Sequence, residues 1–287
     1  MFARMARSAE IWRHRTGEVV LDRTRVMGIL NVTPDSFSDG GRYYDSDAAL
    51  RHGLEMVEHG ADLLDIGGES TRPGSDPVSA EEEWRRIGPV IRSLASKVDV
   101  PLSVDTMKRE VASKAIEVGA SIVNDVSGLR DPAMVRLVAG TRAGAVIVHM
   151  LGNPKTMQTH PEYTDVVRQV RSFLRKRIQV LEAAGVPSEA IAVDPGVGFG
   201  KTQDHNLALL NHLDRLASLG HPVVVGVSRK SFIERLGGGE PGERLPGSLA
   251  AATLAVAKGA HVVRAHDVRE TVRAMRVADA VLRGEKL

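Results

Sequence analysis

Residues 190–202 read AIAVDPGVGFGKT, and the fold assignment starts from this pattern. The apolar run 190–193 has the length of a buried strand, and Asp194 follows it directly. Pro195 ends the strand, and the three glycines at 196, 198 and 200 form a loop whose backbone N–H groups can approach a ligand. The stretch therefore predicts a strand that presents one carboxylate to a glycine-rich loop. Taken alone, it is also compatible with a strand-to-helix turn capped by an acid.

The same unit recurs from residue 25 onward as an apolar run, a polar loop and an amphipathic stretch. The strand candidates are 26–30, 62–66, 101–104, 121–123, 145–148, 190–193, 222–227 and 260–264. Alternation of strands with helical stretches indicates βαβ units and a parallel sheet, and eight strands close a barrel. The sequence therefore predicts the α/β class, with a single (β/α)8 TIM barrel over residues 1–287.

Three further segments carry predictions. Residues 1–24 form an N-terminal extension, and the turn signal Thr16-Gly17 predicts a short β-hairpin suited to cover one end of the barrel. Apolar residues at helical spacing over 165–184 predict an outer helix. The glycine-rich stretch 237–247 predicts a flexible insertion before a helix of small residues over 250–257.

Composition excludes several classes of function. The 287 residues hold 38 Lys and Arg against 36 Asp and Glu, a net charge of +2 that does not favour nucleic acid binding. No apolar run approaches the roughly 20 residues that span a bilayer. Cysteine is absent, which excludes disulfides, thiolate metal sites and a cysteine nucleophile. We expect a cytoplasmic protein without a membrane partner, although arginines at the N-terminus are a weak sign of organelle targeting.

Polar side chains follow several of the predicted strands. Asp105, Asn124 and Asp194 stand at the ends of the third, fourth and sixth strands. In a parallel barrel these ends gather on one face, where active sites lie. A row of buried acceptors suits either a metal or a ligand rich in N–H groups, and the lack of neighbouring histidines disfavours a transition-metal site.

The last two strands supply positive charge. Lys230 follows the seventh strand, and Arg264 and His266 follow the eighth, where barrels of this kind often bind phosphate. Cations on one rim and carboxylates across it predict a substrate that combines a ring rich in N–H donors with an anionic leaving group. Lys201 is expected to matter less than Lys230, because Lys201 lies in a loop that could swing outward. Either lysine would also suit a Schiff-base aldolase.

Seven ordered motifs resemble the dihydropteroate synthase family. They are MGILNVTPDSF at 27–37, GGESTRPG at 67–74, SVDT at 103–106, NDVSG at 124–128, DPGVGFGK at 194–201, SRK at 228–230 and RAHDV at 264–268. The similarity runs from about residue 25 to the C-terminus, and the two long loops at 31–41 and 67–74 are its most diagnostic parts. Members of this family condense p-aminobenzoate with a pterin diphosphate ester and release diphosphate.

The resemblance implies a role for each matching residue. Asp105, Asn124, Asp194 and Lys230 would hold the pterin, with Phe199 beside it. Asn31, Arg264 and His266 would bind the diphosphate, Asn31 together with Mg²⁺. Phe37, Thr71, Arg72, Pro73 and Ser228 would frame p-aminobenzoate. The catalytic set would be Asp105, Asp194, Lys230, Arg264 and His266, in an enzyme with small-molecule substrates that we expect to be a homodimer and a sulfonamide target.

Two further alternatives remain at this point. A pterin-binding methyltransferase of the corrinoid-dependent type shares the acceptor row but lacks the diphosphate cations, so Arg264 and His266 disfavour it. A non-catalytic pterin-binding homologue is disfavoured by the intact loops at 31–41 and 67–74. Because small polar residues bury little apolar surface, we also expect these loops to close only on the pterin diphosphate, so that p-aminobenzoate binds second.

Overall fold

The structure is a computed structural model that describes residues 9–33, 46–70 and 74–283. Within these ranges, eight parallel strands pair in the order β8-β7-β6-β5-β4-β3-β10-β9, and a bridge between Val193 and Val223 joins the two ends. The strands are β3 (Arg25–Asn31), β4 (Leu63–Gly67), β5 (Leu102–Asp105), β6 (Ile122–Asp125), β7 (Gly144–Val148), β8 (Ile191–Asp194), β9 (Val224–Gly226) and β10 (Val262–Ala265). The predicted α/β fold class and TIM barrel are confirmed.

Alternation along the strands decides which side chains enter the barrel. Successive residues of a strand point to opposite faces of the sheet. Leu63, Ile122, Val146, Ala192 and Val262 pack together in one buried cluster, which is the barrel interior. Two residues further along each of these strands lie Asp65, Asn124, Val148, Asp194 and Arg264. The polar residues are therefore directed into the barrel above an apolar floor.

The helices alternate with the strands, as the repeating unit of the sequence predicts. They are α1 (Ser46–Glu58), α2 (Ala80–Ala95), α3 (Arg109–Glu117), α4 (Pro132–Thr141), α5 (Val166–Ala183), α6 (Gln203–Asn211), α7 (Asp214–Ala217), α8 (Ser231–Ile233), α9 (Leu245–Ala257) and α10 (Val268–Arg283). Helix α5 matches the predicted outer helix, and the carboxylate of Asp165 caps it by accepting from the Arg168 N–H at 2.9 Å. No helix in the described ranges is both long enough and apolar enough to cross a membrane.

The segment predicted as a flexible insertion is folded. A π-helical turn over Glu234–Gly238 follows α8, and α9 begins at Leu245 instead of residue 250. Pro246 lies in the first turn of α9, where a missing N–H costs nothing. The buried Arg244 guanidinium donates to the carbonyl oxygens of Arg229 and Gly239, each at 3.0 Å. The glycine-rich composition predicts flexibility and gives no sign of these Arg244 contacts, which hold the turn in place.

The N-terminal hairpin closes the end of the barrel opposite the polar residues. Strands β1 (Ile11–His14) and β2 (Gly17–Val20) pair antiparallel, which confirms the prediction. Trp12 is fully buried in the interior cluster, and its indole Nε1–H donates to the carbonyl oxygen of Ala190 at 3.2 Å, just before β8. The hairpin therefore fills the amino-terminal end of the barrel with one large aromatic side chain.

Replacement of Trp12 by alanine tests this role. Because the ring is fully buried, Trp12→Ala is expected to lower the free energy of unfolding by about 3–5 kcal/mol, measured by urea denaturation. Val20→Ala, at a 45% exposed position of the same hairpin, is the matched control and should change it by less than about 0.5 kcal/mol. Equal losses in the two variants would show that the indole does not support the barrel.

Candidate active site

Register brings the polar strand ends to one level. Asn31 pairs with Gly67, Gly67 with Asp105, and Asp105 with Asn124 along three consecutive strand pairs. Val148 pairs with Asp194 across the barrel wall. The expected convergence of Asp105, Asn124 and Asp194 at the carboxyl-terminal mouth is therefore present in the structure.

Arg264 lies between two carboxylates at this mouth. Its Nε donates to Asp65 Oδ2 at 2.6 Å, and its Nη2 donates to Asp105 Oδ2 at 2.7 Å. The sequence led us to expect the cations on one rim and the carboxylates across from it, and that separation is wrong. Buried carboxylates need a counter-charge, and the long arginine side chain reaches into the barrel to supply it.

Asp65 is the first of three residues at the mouth and its loops that sequence reasoning missed. It is fully buried in β4, and its Oδ2 also accepts from Asn124 Nδ2 at 2.8 Å. One carboxylate oxygen thus orients both the amide of Asn124 and the guanidinium of Arg264. The available signal was a single acid inside the otherwise apolar run LLDIG at 63–67, since a charge buried in a strand requires partners.

Two acceptor atoms at the mouth remain unused. Asp65 Oδ1 and Asn124 Oδ1 are buried, and neither has a hydrogen-bond partner in the part of the chain that the structure describes. The Nδ2 contact with Asp65 fixes which side of the Asn124 amide carries the unused oxygen. An unsatisfied buried acceptor costs about 1–3 kcal/mol, which N–H donors of a bound ligand would recover.

Burial shifts the titration of these groups. Burial raises the pKa of Asp105 to about 7, against the opposing charge of Arg264. Burial likewise raises the pKa of Asp194, although Lys230 and the Gly196 N–H oppose it. Burial alone would lower the pKa of Arg264, but Asp65 and Asp105 outweigh it and raise that pKa. The mouth therefore keeps a permanent cation among carboxyl groups that are costly to ionise.

Asp194, Phe199 and Lys230 form one wall of the mouth. Asp194 Oδ1 accepts from the Gly196 N–H at 2.6 Å, and Lys230 Nζ lies 4.5 Å from the centre of the Phe199 ring. Burial lowers the pKa of Lys230 to about 8, although Asp194 opposes this. Gly196 has φ 66°, and a Cβ there would lie 1.9 Å from the His149 carbonyl oxygen. This tight approach explains the glycine directly after Asp194-Pro195.

Lys201 is not on an outward-swinging loop, and this expectation is wrong. It is buried, and its Nζ contacts His149 Nδ1 at 3.0 Å and the carbonyl oxygen of Phe199 at 2.9 Å. Burial lowers its pKa to about 7. The contact with the buried His149 joins residues that are distant in sequence.

Ser228 and His266 meet where β9 and β10 end. The His266 backbone N–H donates to Ser228 Oγ at 3.2 Å, and the same hydroxyl lies 3.0 Å from His266 Nδ1. Arg229, between Ser228 and Lys230, pairs instead with Asp267. The structure thus brings together the predicted residues of the last two strands and separates Arg229 from them.

The base of the second long loop is tied down by an ion-pair cluster. Lys108 Nζ donates to the carboxylates of Glu69 and Glu83. Glu83 is fully buried, and its Oε2 lies 2.6 Å from Lys108 Nζ. Sequence reasoning missed Lys108 and Glu83, which belong to neighbouring elements. Four predicted site residues lie outside the described residues: Phe37, Thr71, Arg72 and Pro73. The predicted closure of the two long loops involves the same segments and stays a prediction.

The donor chemistry suits magnesium better than a transition metal. Across the described ranges, no group of three or more His, Cys, Asp or Glu could hold a metal ion. Asn31 ends β3 on the inward face of the strand and carries an amide oxygen. Mg²⁺ is commonly held by few protein oxygens together with substrate phosphates and water. Asn31 therefore fits a magnesium ion shared with a diphosphate.

Removal of the Asp65 carboxylate tests the network. Asp65→Ala leaves the buried donors of Arg264 and Asn124 unpaired, so the free energy of unfolding should fall by about 3–5 kcal/mol in chemical denaturation. Asp22→Ala is the control, because the 65% exposed Asp22 side chain also pairs with an arginine, Arg25, and should contribute less than about 1 kcal/mol. A loss for Asp65→Ala as small as the control's would contradict the network.

Comparison with known proteins gives consistent matches. Residues 27–266 match the family described as pterin binding enzyme. Dihydropteroate synthase of Escherichia coli (strain K12) is 47% identical over 262 residues, covering 91% of this chain and 93% of that protein. The Xanthomonas albilineans enzyme with 4-aminobenzoic acid has a TM-score of 0.89 at 49% identity, covering 95% of this chain and 98% of that one. The Yersinia pestis enzyme in a sulfonamide drug complex has a TM-score of 0.91 at 44% identity, covering 96% and 100%.

Proposed function

The chain belongs to the pterin-binding enzymes as a dihydropteroate synthase, and from this premise we propose how its residues act. The enzyme is a transferase of folate biosynthesis that condenses (7,8-dihydropterin-6-yl)methyl diphosphate with p-aminobenzoate, giving 7,8-dihydropteroate and diphosphate. The observation that carries the residue assignment is the set of buried, unused acceptors at the barrel mouth. The similar proteins reported above are dihydropteroate synthases, which favours this activity over the methyltransferase, aldolase and non-catalytic alternatives.

The pterin ring supplies the donors that the mouth lacks. Its amino group and ring N–H groups would bind Asn124 Oδ1, Asp105 and Asp194, and Lys230 would donate to the carbonyl edge. The Phe199 ring, next to Lys230 Nζ, provides an apolar surface on the same wall. Supporting this assignment, the Asn124 amide is oriented by Asp65 with its oxygen left for a ligand.

Charge distribution favours the displacement step. As the C–O bond to diphosphate breaks, positive charge grows on the pterin methylene and negative charge on the leaving group. The carboxylates of Asp105 and Asp194 stabilise the first. A guanidinium has five N–H donors, and the two bonds of Arg264 to Asp65 and Asp105 leave others for the diphosphate, alongside His266. The p-aminobenzoate amine then forms the new C–N bond to the methylene carbon and loses one proton.

Magnesium and p-aminobenzoate complete the proposal. Asn31 would hold Mg²⁺, which when bound neutralises charge on the diphosphate. Ser228, at the mouth beside His266, would contact p-aminobenzoate. Phe37, Thr71, Arg72 and Pro73 are proposed to frame the same substrate, with binding in the order pterin diphosphate and then p-aminobenzoate.

An assay of diphosphate release tests the function. Sustained, multiple-turnover release should require both substrates and Mg²⁺, because each turnover consumes one p-aminobenzoate, whose amine captures the methylene carbon that diphosphate has left. In Asn31→Ala the Mg²⁺ concentration for half-maximal rate should rise about ten-fold, while the KM for p-aminobenzoate changes little. Asn211→Ala, at the exposed end of α6, is the matched control and should leave the Mg²⁺ dependence unchanged. Diphosphate release that is independent of p-aminobenzoate would contradict the proposal, and an unchanged Mg²⁺ requirement would remove Asn31 from it.

We also propose a cytoplasmic homodimer. Helices α9 and α10 pack against each other, and each exposes large apolar side chains: Leu254 at 66%, and Val277 and Val281 at 65% and 75%. Val277 and Val281 are four residues apart and so share one face of α10. Exposed apolar surface of this kind is typical of an interface.

Sedimentation tests the dimer. The wild-type protein should have about twice the 30.9 kDa chain mass. Val277→Glu should weaken association at least ten-fold, because it places a charge in the apolar contact. Leu236→Glu, at a 59% exposed position after α8, is the control and should leave the mass unchanged. A monomeric wild-type protein would contradict this part of the proposal.

A further inference from the structure

Lys201 is a buried amine that the proposed mechanism does not use. Only 3% of the residue is exposed, yet its Nζ has three polar contacts, to Phe199 O at 2.9 Å, His149 Nδ1 at 3.0 Å and His149 O at 3.2 Å. None of these three contacts is with a carboxylate, although the lowering of the pKa of the amine by burial, the larger effect, is opposed by the charge of Asp194. A lysine buried without a hydrogen-bonded counter-ion is costly, so its position requires a reason.

The contacts connect the glycine-rich loop to the end of β7. Burial lowers the pKa of His149 to about 3, so its ring is neutral near pH 7. Its Nδ1 can then accept a hydrogen bond from Lys201 Nζ. The His149 ring packs edge-on against Phe173 of α5, with ring centres 4.9 Å apart. The packing against Phe173 holds the His149 ring in place. Lys201 therefore links an immobile side chain to the glycine-rich loop.

Phe199 receives this support. Its carbonyl accepts from Lys201, and its N–H donates to the Gly196 carbonyl at 3.0 Å, which closes the turn. Lys230 Nζ donates to the Val197 carbonyl and lies over the Phe199 ring. The segment 197–199 is thus held by one lysine from the interior and by another from the mouth.

We propose that Lys201 is a positioning residue of the pterin pocket, which acts by holding the Phe199 carbonyl so that the ring stays against Lys230. The inference rests on the proposed function, because it assigns that wall to the pterin. A cavity of about 340 Å³ borders Gly198 and Lys201 on the side of α6 and α8, so the loop has room to move when the tie is lost.

The test measures two ligands in matched variants. Lys201→Met removes all donors, and Lys201→Gln keeps an N–H on a shorter side chain. Binding of 6-hydroxymethylpterin, measured by calorimetry, should weaken at least ten-fold in Lys201→Met and less in Lys201→Gln. The KM for p-aminobenzoate at saturating pterin diphosphate should stay within about two-fold. Lys155→Met, at a 67% exposed side chain, is the control and should match the wild type.

A double-mutant cycle separates positioning from general stability. If Lys201 acts through Phe199, Lys201→Met should cost no further pterin affinity in a Phe199→Ala background. Additive losses, or equal losses for both ligands, would overturn the inference while the proposed function stands. Wild-type protein that fails to bind the pterin would overturn both. Should Lys201→Met not fold, Lys201→Gln and the same cycle decide by the same criteria.

Discussion

The ion pairs of Arg264 with Asp65 and Asp105 are the interaction on which the active site depends. They join β10 to β4 and β5 inside a closed barrel, at 2.6 and 2.7 Å. Without the guanidinium, two buried carboxylates would face each other uncompensated, which costs several kcal/mol per ion. With the guanidinium in place, the barrel mouth can contain ionised carboxylates that stabilise a cationic transition state.

This network also explains the free acceptors. Asp65 Oδ2 accepts hydrogen bonds from both Arg264 and Asn124. The second bond orients the side-chain amide of Asn124. The remaining oxygens of Asp65 and Asn124 are buried without a partner among the described residues. Buried polar groups are normally hydrogen-bonded, so two unpaired acceptors at the mouth favour a ligand that donates to them. The pterin ring has the complementary set of donors.

The closed barrel accounts for what the sequence could predict. Asp105, Asn124 and Asp194 follow apolar runs directly, and parallel strands bring such positions together, so their convergence was predictable. Asp65 lies inside a run and was missed, because its importance depends on contacts with strands about 60 and 200 positions away. Lys201 was misjudged for the same reason: glycine content indicates loop freedom, whereas its anchor to His149 is tertiary. The start of α9 was misplaced because Pro246-Gly247 is also typical of a turn.

The central claim is that the inward acceptors at the mouth bind the pterin. Calorimetric titration of 6-hydroxymethylpterin into wild-type protein, Asp194→Asn and Asp125→Asn tests it most directly. Asp125 is also buried, but it follows Asn124 in β6 and so faces away from the barrel interior. We expect a loss of affinity of at least about ten-fold for Asp194→Asn and near wild-type affinity for Asp125→Asn. Unchanged affinity in Asp194→Asn would contradict it and leave the strand-end acids as structural caps.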